Sequence, residues 1–281
     1  MELSRAPRAI KESKGNAIMT GTTNHSKELL VKVPQITFYF WIIKVLATTV
    51  GETFADFLNT KLGLGLNGTS VATFIFLAVV LVFQFKGKGY QPPIYWLAIV
   101  LISIAGTLVT DNLTDKANVS LITSSIIFSI CLAAIFTIWF VKEKTLAIHS
   151  IYTPTREAFY WLTILFTFAL GTATGDLFAE RLALGYGRSL LVFAGLIGVI
   201  AGLWQRKRIN AVFGFWAVYV LTRPLGASIG DLLSQDKKDG GFGLGTTVTS
   251  LIFLILISIT VTYLVRTKKD QIKLDSAEKL S

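Results

Sequence analysis

Acidic side chains are scarce in this chain, and the most informative of them stand where hydrocarbon is expected. Glu52 and Asp56 lie four residues apart in Gly51-Glu52-Thr53-Phe54-Ala55-Asp56, inside a segment otherwise apolar enough to cross a bilayer. The register returns three times. Gly51 precedes Asp56 by five residues and Trp41 precedes it by fifteen, and the triple recurs as Trp96, Gly106, Asp111, as Trp161, Gly171, Asp176, and as Trp216, Gly226, Asp231. Four copies with one internal spacing are a repeat and not an accident of composition. An ionised carboxylate near the centre of a membrane helix costs about 2.5–3.5 kcal/mol on insertion scales. If Glu52, Asp56, Asp111, Asp176 and Asp231 converge, they cannot all stay ionised without a cation or proton among them. Oxygen-only donors suit hard ions such as Mg²⁺, Mn²⁺, Ca²⁺, Na⁺ or H⁺. These five are therefore the candidate cation or metal ligands.

Other polar residues share the register. Thr107 and Thr172 stand where repeat one has Glu52, and a hydroxyl there either joins a carboxylate at a cation or bonds back to its own helix. Arg223-Pro224 lies mid-span in repeat four, too deep to reach water by snorkelling, so Arg223 is expected to pair with a carboxylate and Pro224 to kink the helix. Lys44 is a second candidate counter-charge, with snorkelling to the membrane surface as the structural alternative. Gly51, Gly106, Gly171, Gly175 and Gly226 are expected at close helix contacts, Gly171 and Gly175 forming a small-xxx-small pair. Trp41, Trp96, Trp161 and Trp216 are read as anchors at the headgroup boundary. The structural reading of the acids is that each is a wetted residue at a helix end.

The elements that must position these residues are membrane helices. Of 281 residues, 52% are hydrophobic and 16% charged, and the mean hydropathy is +0.60, which excludes an ordinary soluble domain. Eight apolar runs stand out, at about 36–58, 70–86, 93–112, 119–141, 158–179, 189–205, 211–233 and 247–265. The expected fold is an all-α integral membrane protein whose eight transmembrane helices form four parallel two-helix repeats in two pseudo-symmetric halves. An even number of crossings per repeat sends every copy into the membrane in the same direction. The tryptophans are 55, 65 and 55 residues apart, so the extra residues lie between the halves. Residues 1–31 read as a basic, unstructured cytoplasmic tail, 32–142 as the first half (repeats 1 and 2), 143–157 as a cytoplasmic linker, 158–266 as the second half (repeats 3 and 4) and 267–281 as a second cytoplasmic tail. The odd-numbered crossings are expected inside and the even-numbered ones outside.

The 27 Lys and Arg residues give a net charge of +10 and concentrate in the loops of one side, which orients both termini toward the cytoplasm. They are scattered over short loops, which argues against nucleic acid. Cys131 is the sole cysteine and the two histidines, His25 and His149, lie outside the spans. That leaves no thiolate or imidazole metal site, no cofactor is expected beyond a bound divalent cation, and no catalytic motif points to an enzyme.

The four Trp-Gly-Asp repeats, with Gly106-Thr107, Gly171-Thr172 and the Leu62-Gly63-Leu64-Gly65 tail, resemble a bacterial family of repeated membrane segments, domain of unknown function 347, over about residues 32–266. The resemblance implies an integral membrane protein of bacterial type and supplies no activity. The Glu52-x-x-x-Asp56 helix is also similar to acidic motifs of manganese and calcium exporters, without their Glu-x-Gly-Asp order. The expected function is a transporter in the cytoplasmic (bacterial inner) membrane, moving a divalent metal such as Mn²⁺ or Mg²⁺, or coupled to protons. The alternatives are a membrane anchor or regulator with structural acids, and a carrier of a small organic cation. Partners expected are the lipid bilayer and an inorganic cation or proton; the oligomeric state is open.

Overall fold

The computed structural model describes residues 31–271. All but the last residue of the tail expected over 1–31, and much of that over 267–281, lie outside them. Among the described residues there are eight α-helices and no strand: α1 (Phe38–Asp56), α2 (Gly65–Lys86), α3 (Pro92–Asp111), α4 (Leu121–Glu143), α5 (Pro154–Asp176), α6 (Gly185–Gln205), α7 (Ala211–Ser234) and α8 (Gly245–Thr267). Their starts follow from local chemistry. Pro92 and Pro154 open α3 and α5 at positions where a missing N–H costs nothing. Ser120, Thr153 and Asn210 cap α4, α5 and α7, their side-chain oxygens accepting from the N–H groups of Thr123, Arg156 and Val212. Pro224 does not break α7, which continues through it to Ser234.

Seven of the eight helices are long and apolar enough to cross a membrane, and the chain is a multi-pass membrane protein. The helix that falls short is α1, where eight crossings had been expected. Lys44, Thr48, Thr49, Glu52 and Thr53 lower its apolarity, and all five are buried by protein. The apolar helices divide into two kinds. The buried share is 78%, 61% and 56% for the spans containing α3, α5 and α7, against 22%, 22%, 11% and 22% for α2, α4, α6 and α8. The second group is apolar all round, which suits a helix facing lipid.

The inner helices α1, α3, α5 and α7 close into a ring, and two register positions close it. The glycine five residues before each acid meets the residue eight before the acid of the next repeat. A Cβ on Gly51 would strike Ser103, one on Gly106 would strike Phe168, one on Gly171 would strike Arg223, and one on Gly226 would strike Thr48. Hydroxyls bridge the same interfaces: Thr107 Oγ1 donates to the Gly51 carbonyl (3.2 Å), Thr110 Oγ1 to that of Ala169 (2.9 Å) and Thr48 Oγ1 to that of Thr222 (3.2 Å). With no lipid-to-core hydrophobic gain to drive association, close packing at small residues and interhelical hydrogen bonds supply the contact energy. Gly175 departs from the expectation, because its nearest neighbours, on Pro224, are 3.6 Å from a built Cβ and leave room for it. Gly230, 3.1 Å from Thr53, is the tighter site.

Each outer helix packs on the inner helix of the following repeat: α2 on α3, α4 on α5, α6 on α7, and α8 back on α1. The turn from inner to outer helix is also shared. Asp56, Asp111 and Asp176 are each followed at once by one π-helical turn, Phe57–Lys61, Asn112–Lys116 and Leu177–Arg181. Seven residues after each acid the backbone turns left-handed, at Gly63 (φ 67°), Asn118 (54°) and Ala183 (52°). Repeat four has a longer connection in place of the π turn, with 14 residues from Asp231 to Gly245 against 9 from Asp56 to Gly65.

Candidate functional site

Ring closure brings the residue four before each acid to the interior, and there the repeats differ: Glu52, Thr107, Thr172 and Ala227. Arg223, one turn earlier on α7, reaches the other three. Its Nη2 lies within hydrogen-bonding distance of Glu52 Oε2 (2.7 Å), Thr107 Oγ1 (2.5 Å) and Thr172 Oγ1 (2.7 Å), its two protons shared among the three acceptors, and Nη1 lies 3.5 Å from the Thr48 carbonyl. Arg223 is fully buried and Glu52 nearly so. The small Ala227 of its own repeat leaves the guanidinium room to cross the ring. Both threonines also bond back to their own helices, at Ser103 and Phe168, which is the structural one of the two expected roles, while the partner each takes across the ring is Arg223 and not a carboxylate.

Beside this pair stands a second layer of acid. One carboxylate oxygen from each of Glu52, Asp176 and Asp231 lies within 4.8 Å of the other two. Asp231 is buried and Asp176 half-buried, and among the described residues neither is held by an ion pair, the only buried arginine bond to a carboxylate here being that of Arg223 to Glu52. Asp56 and Asp111 stand outside this compact group, half-buried at the same register. The five acids are thus not one equivalent set: Asp176 and Asp231 converge with Glu52, which enters from one turn deeper, and Asp56 and Asp111 do not.

Lys44 neither snorkels nor meets a carboxylate. It is fully buried, and its Nζ lies 4.0 Å from the ring centre of Phe168 and 4.2 Å from that of Tyr219, without a hydrogen-bond partner among the described residues. These rings are parallel, 6.2 Å apart, and the amino group packs against both. It lies one turn toward the basic-loop end from Thr48 and does not touch Glu52.

Three of the four tryptophans pack inside a layer at that end of the ring and do not face lipid as anchors, and Trp41 sits at the layer's edge. Trp96, Trp161 and Trp216 are buried and Trp41 half-buried. Phe40 packs on Trp96 and Phe215, Tyr95 on Trp161, and Tyr160 on Trp216. The Tyr95 and Tyr160 hydroxyls meet at 2.5 Å. The residue before each tryptophan is aromatic in all four repeats, so parallel packing stacks eight rings at one level and fills the ring there.

A further polar cluster lies beneath this layer, and sequence reasoning missed it. Lys32 Nζ donates to Glu157 Oε2 and to the Phe85 carbonyl, both at 2.7 Å, while Gln84 Nε2 donates to Glu157 Oε1 at 3.1 Å. The Gln35 N–H donates to the Asp270 carbonyl (2.9 Å), and Tyr90 Oη donates to Asp270 Oδ2 (2.5 Å). Burial raises the Asp270 carboxyl above its ordinary range, and burial beside Asp270 pushes the Tyr90 phenol upward. Glu157 falls in the segment expected as the 143–157 linker; its place in the first turn of α5 was the signal available.

Fold and site together define a repeat-built, all-helical, multi-pass membrane protein with a buried charged cluster inside a pseudo-fourfold ring. A repeat family described as "Repeat of Unknown Function (DUF347)" matches four times, at residues 39–90, 94–145, 159–210 and 214–270. The chain belongs to this family. Each match opens two residues before its tryptophan, and the fourth is the longest, as the longer connection of repeat four requires. No curated protein and no solved structure matches the chain.

Proposed function

We propose that the chain is a carrier, not an enzyme, for a hard inorganic cation, a divalent metal or a proton-coupled ion, which binds within the α1–α3–α5–α7 ring. The observation that carries this reading is the convergence of Glu52, Asp176 and Asp231 oxygens within 4.8 Å. Three carboxylates set against the single guanidinium of Arg223 leave two negative charges, which a divalent cation or two protons would balance. Oxygen donors of this kind favour Mg²⁺, Mn²⁺ or Ca²⁺ over softer metals. Thr107 and Thr172 hold the guanidinium beside the cluster. In the absence of a cation Arg223 holds Glu52 as a tethered competitor. An arriving ion draws Glu52 away, and Arg223 keeps its two threonine partners.

In this reading all eight helices cross the membrane. α1 falls short on apolarity because its polar side chains point into the ring, and with its π turn it runs from Phe38 to Lys61, about 36 Å at 1.5 Å per residue, enough for a bilayer core. Eight crossings put both termini on the side of the basic loops, the cytoplasm, in a bacterial inner membrane. Asp56 and Asp111 lie toward the opposite, outer mouth, and the aromatic layer shuts the cytoplasmic end. Transport then requires that layer to part while the outer mouth closes, an alternation of access about a fixed site.

The satisfied Glu52–Arg223 pair also favours a second reading, in which the acids only fix helix packing in a membrane anchor. Uptake of Mn²⁺, Mg²⁺, Ca²⁺, Na⁺ or H⁺ into liposomes carrying the purified protein separates the two. The transport reading predicts flux of at least one of these ions and its loss in a folded Asp176→Asn/Asp231→Asn variant. Flux of none of them from folded wild-type protein, or equal flux in the variant, rejects it.

A further inference from the structure

A cleft of about 640 Å³ opens on the lipid side of the bundle, between α1, α6, α7 and the segment at 146–149. Trp41 and Val45 of α1, Ile197 and Trp204 of α6, and Val218 and Leu225 of α7 give it an almost wholly apolar lining. Space opens there because small residues, Ala201, Ala211 and Gly214, stand where the two helices would otherwise fill it. The cleft starts at the basic-loop end and follows α7 from Val212 to Leu225, about 20 Å at 1.5 Å per residue. One leaflet contributes about half of a 30 Å hydrocarbon core. The cleft therefore has the length of one leaflet, and its volume lies in the range of small-molecule pockets.

Charge at its mouth selects the occupant. Arg206, Lys207 and Arg208 form the exposed turn that joins α6 to α7, the two helices that line the cleft. No Asp or Glu occurs anywhere from Arg181 to Gly230, so α6, α7 and the turn between them bring no acid to set against these three bases. Trp41 and Trp204 on the walls suit the boundary between acyl chain and headgroup. A free anion would have no use for the apolar channel, and a neutral lipid would have no use for the three bases.

We propose that this cleft is a binding site for one anionic phospholipid of the basic-side leaflet, an acyl chain lying along α7 and the headgroup phosphate meeting Arg206, Lys207 and Arg208. The site is separate from the carboxylate cluster and does not depend on transport. Basic recesses between membrane helices on the cytoplasmic side are the general setting for such lipids.

Native mass spectrometry of the detergent-purified full chain, mixed with equal amounts of phosphatidylglycerol and phosphatidylcholine of one acyl length, tests it. The expected result is a one-to-one phosphatidylglycerol adduct several-fold in excess over phosphatidylcholine. Arg206→Gln/Lys207→Gln/Arg208→Gln, all at exposed positions, should equalise the two, and Ala201→Trp, which fills the cleft, should remove both. Equal retention of the two lipids by the wild type, no adduct at all, or an unchanged preference in the triple variant overturns the proposal. A dimer peak that Ala201→Trp abolishes would assign the cleft to a second copy of the chain and overturn it equally.

Discussion

Arg223 is the residue on which the interior depends, because one guanidinium nitrogen serves Glu52, Thr107 and Thr172, one residue from each of the other three repeats. Removing one member of a buried ion pair strands the other, at about 3–5 kcal/mol. Arg223→Ala should therefore lower the thermal unfolding temperature in detergent sharply, and adding Glu52→Gln should recover part of the loss by removing the stranded charge. A double variant no more stable than Arg223→Ala alone would mean that Arg223 acts through packing and not through Glu52. Lysine is a poor replacement, since a single ammonium cannot reproduce the planar fork, so Arg223→Lys should fall between the two.

At the scale of elements, four glycines set the ring. Gly106 faces Phe168 and Gly226 faces Thr48 too closely for a methyl group. Overpacking of this kind costs about 1–3 kcal/mol, and Gly106→Ala and Gly226→Ala should destabilise by that much in thermal unfolding. Gly198→Ala, on the lipid side of α6 with open space around it, should be neutral or gain about 0.5–1 kcal/mol from helix propensity. The ring was legible in the sequence because a glycine and an acid kept a fixed spacing through four repeats and because periodicity exposes an inner and an outer helix in each. Which partner each glycine meets was not legible, since Ser103, Phe168, Arg223 and Thr48 share a register and no chemistry. The same limit explains Lys44: sequence shows a charge one turn inside the membrane, and only the closed ring shows Phe168 and Tyr219 converging on it. The tryptophans misled for a physical reason, being amphipathic residues at the right depth for a headgroup belt that parallel packing turns inward.

At the scale of the whole molecule, contacts far apart in sequence lock the basic end. Residues 32 to 35 meet Ile151, Glu157 and Asp270, and Tyr90 reaches across to Asp270. Because burial raises the Asp270 carboxyl, the folded chain holds that proton more tightly than the unfolded chain does. Its contribution to stability is therefore fully present below the ordinary Asp value of about 3.9 and is lost as pH rises through the raised value. Thermal unfolding from about pH 4 to pH 7 should show a decline in wild-type stability that Asp270→Asn, neutral throughout, largely removes; parallel profiles for the two proteins would exclude Asp270 as the titrating group. Above this lock, the aromatic layer and the carboxylate cluster make one axis, closed at the basic end and acidic toward the other. Calorimetric titration of Mn²⁺, Mg²⁺ and Ca²⁺ into the purified chain tests most directly whether that cluster binds a cation. One ion per chain should bind, at least tenfold more weakly in Asp231→Asn; no binding of any of the three to the folded protein, or equal affinity in the variant, would contradict it.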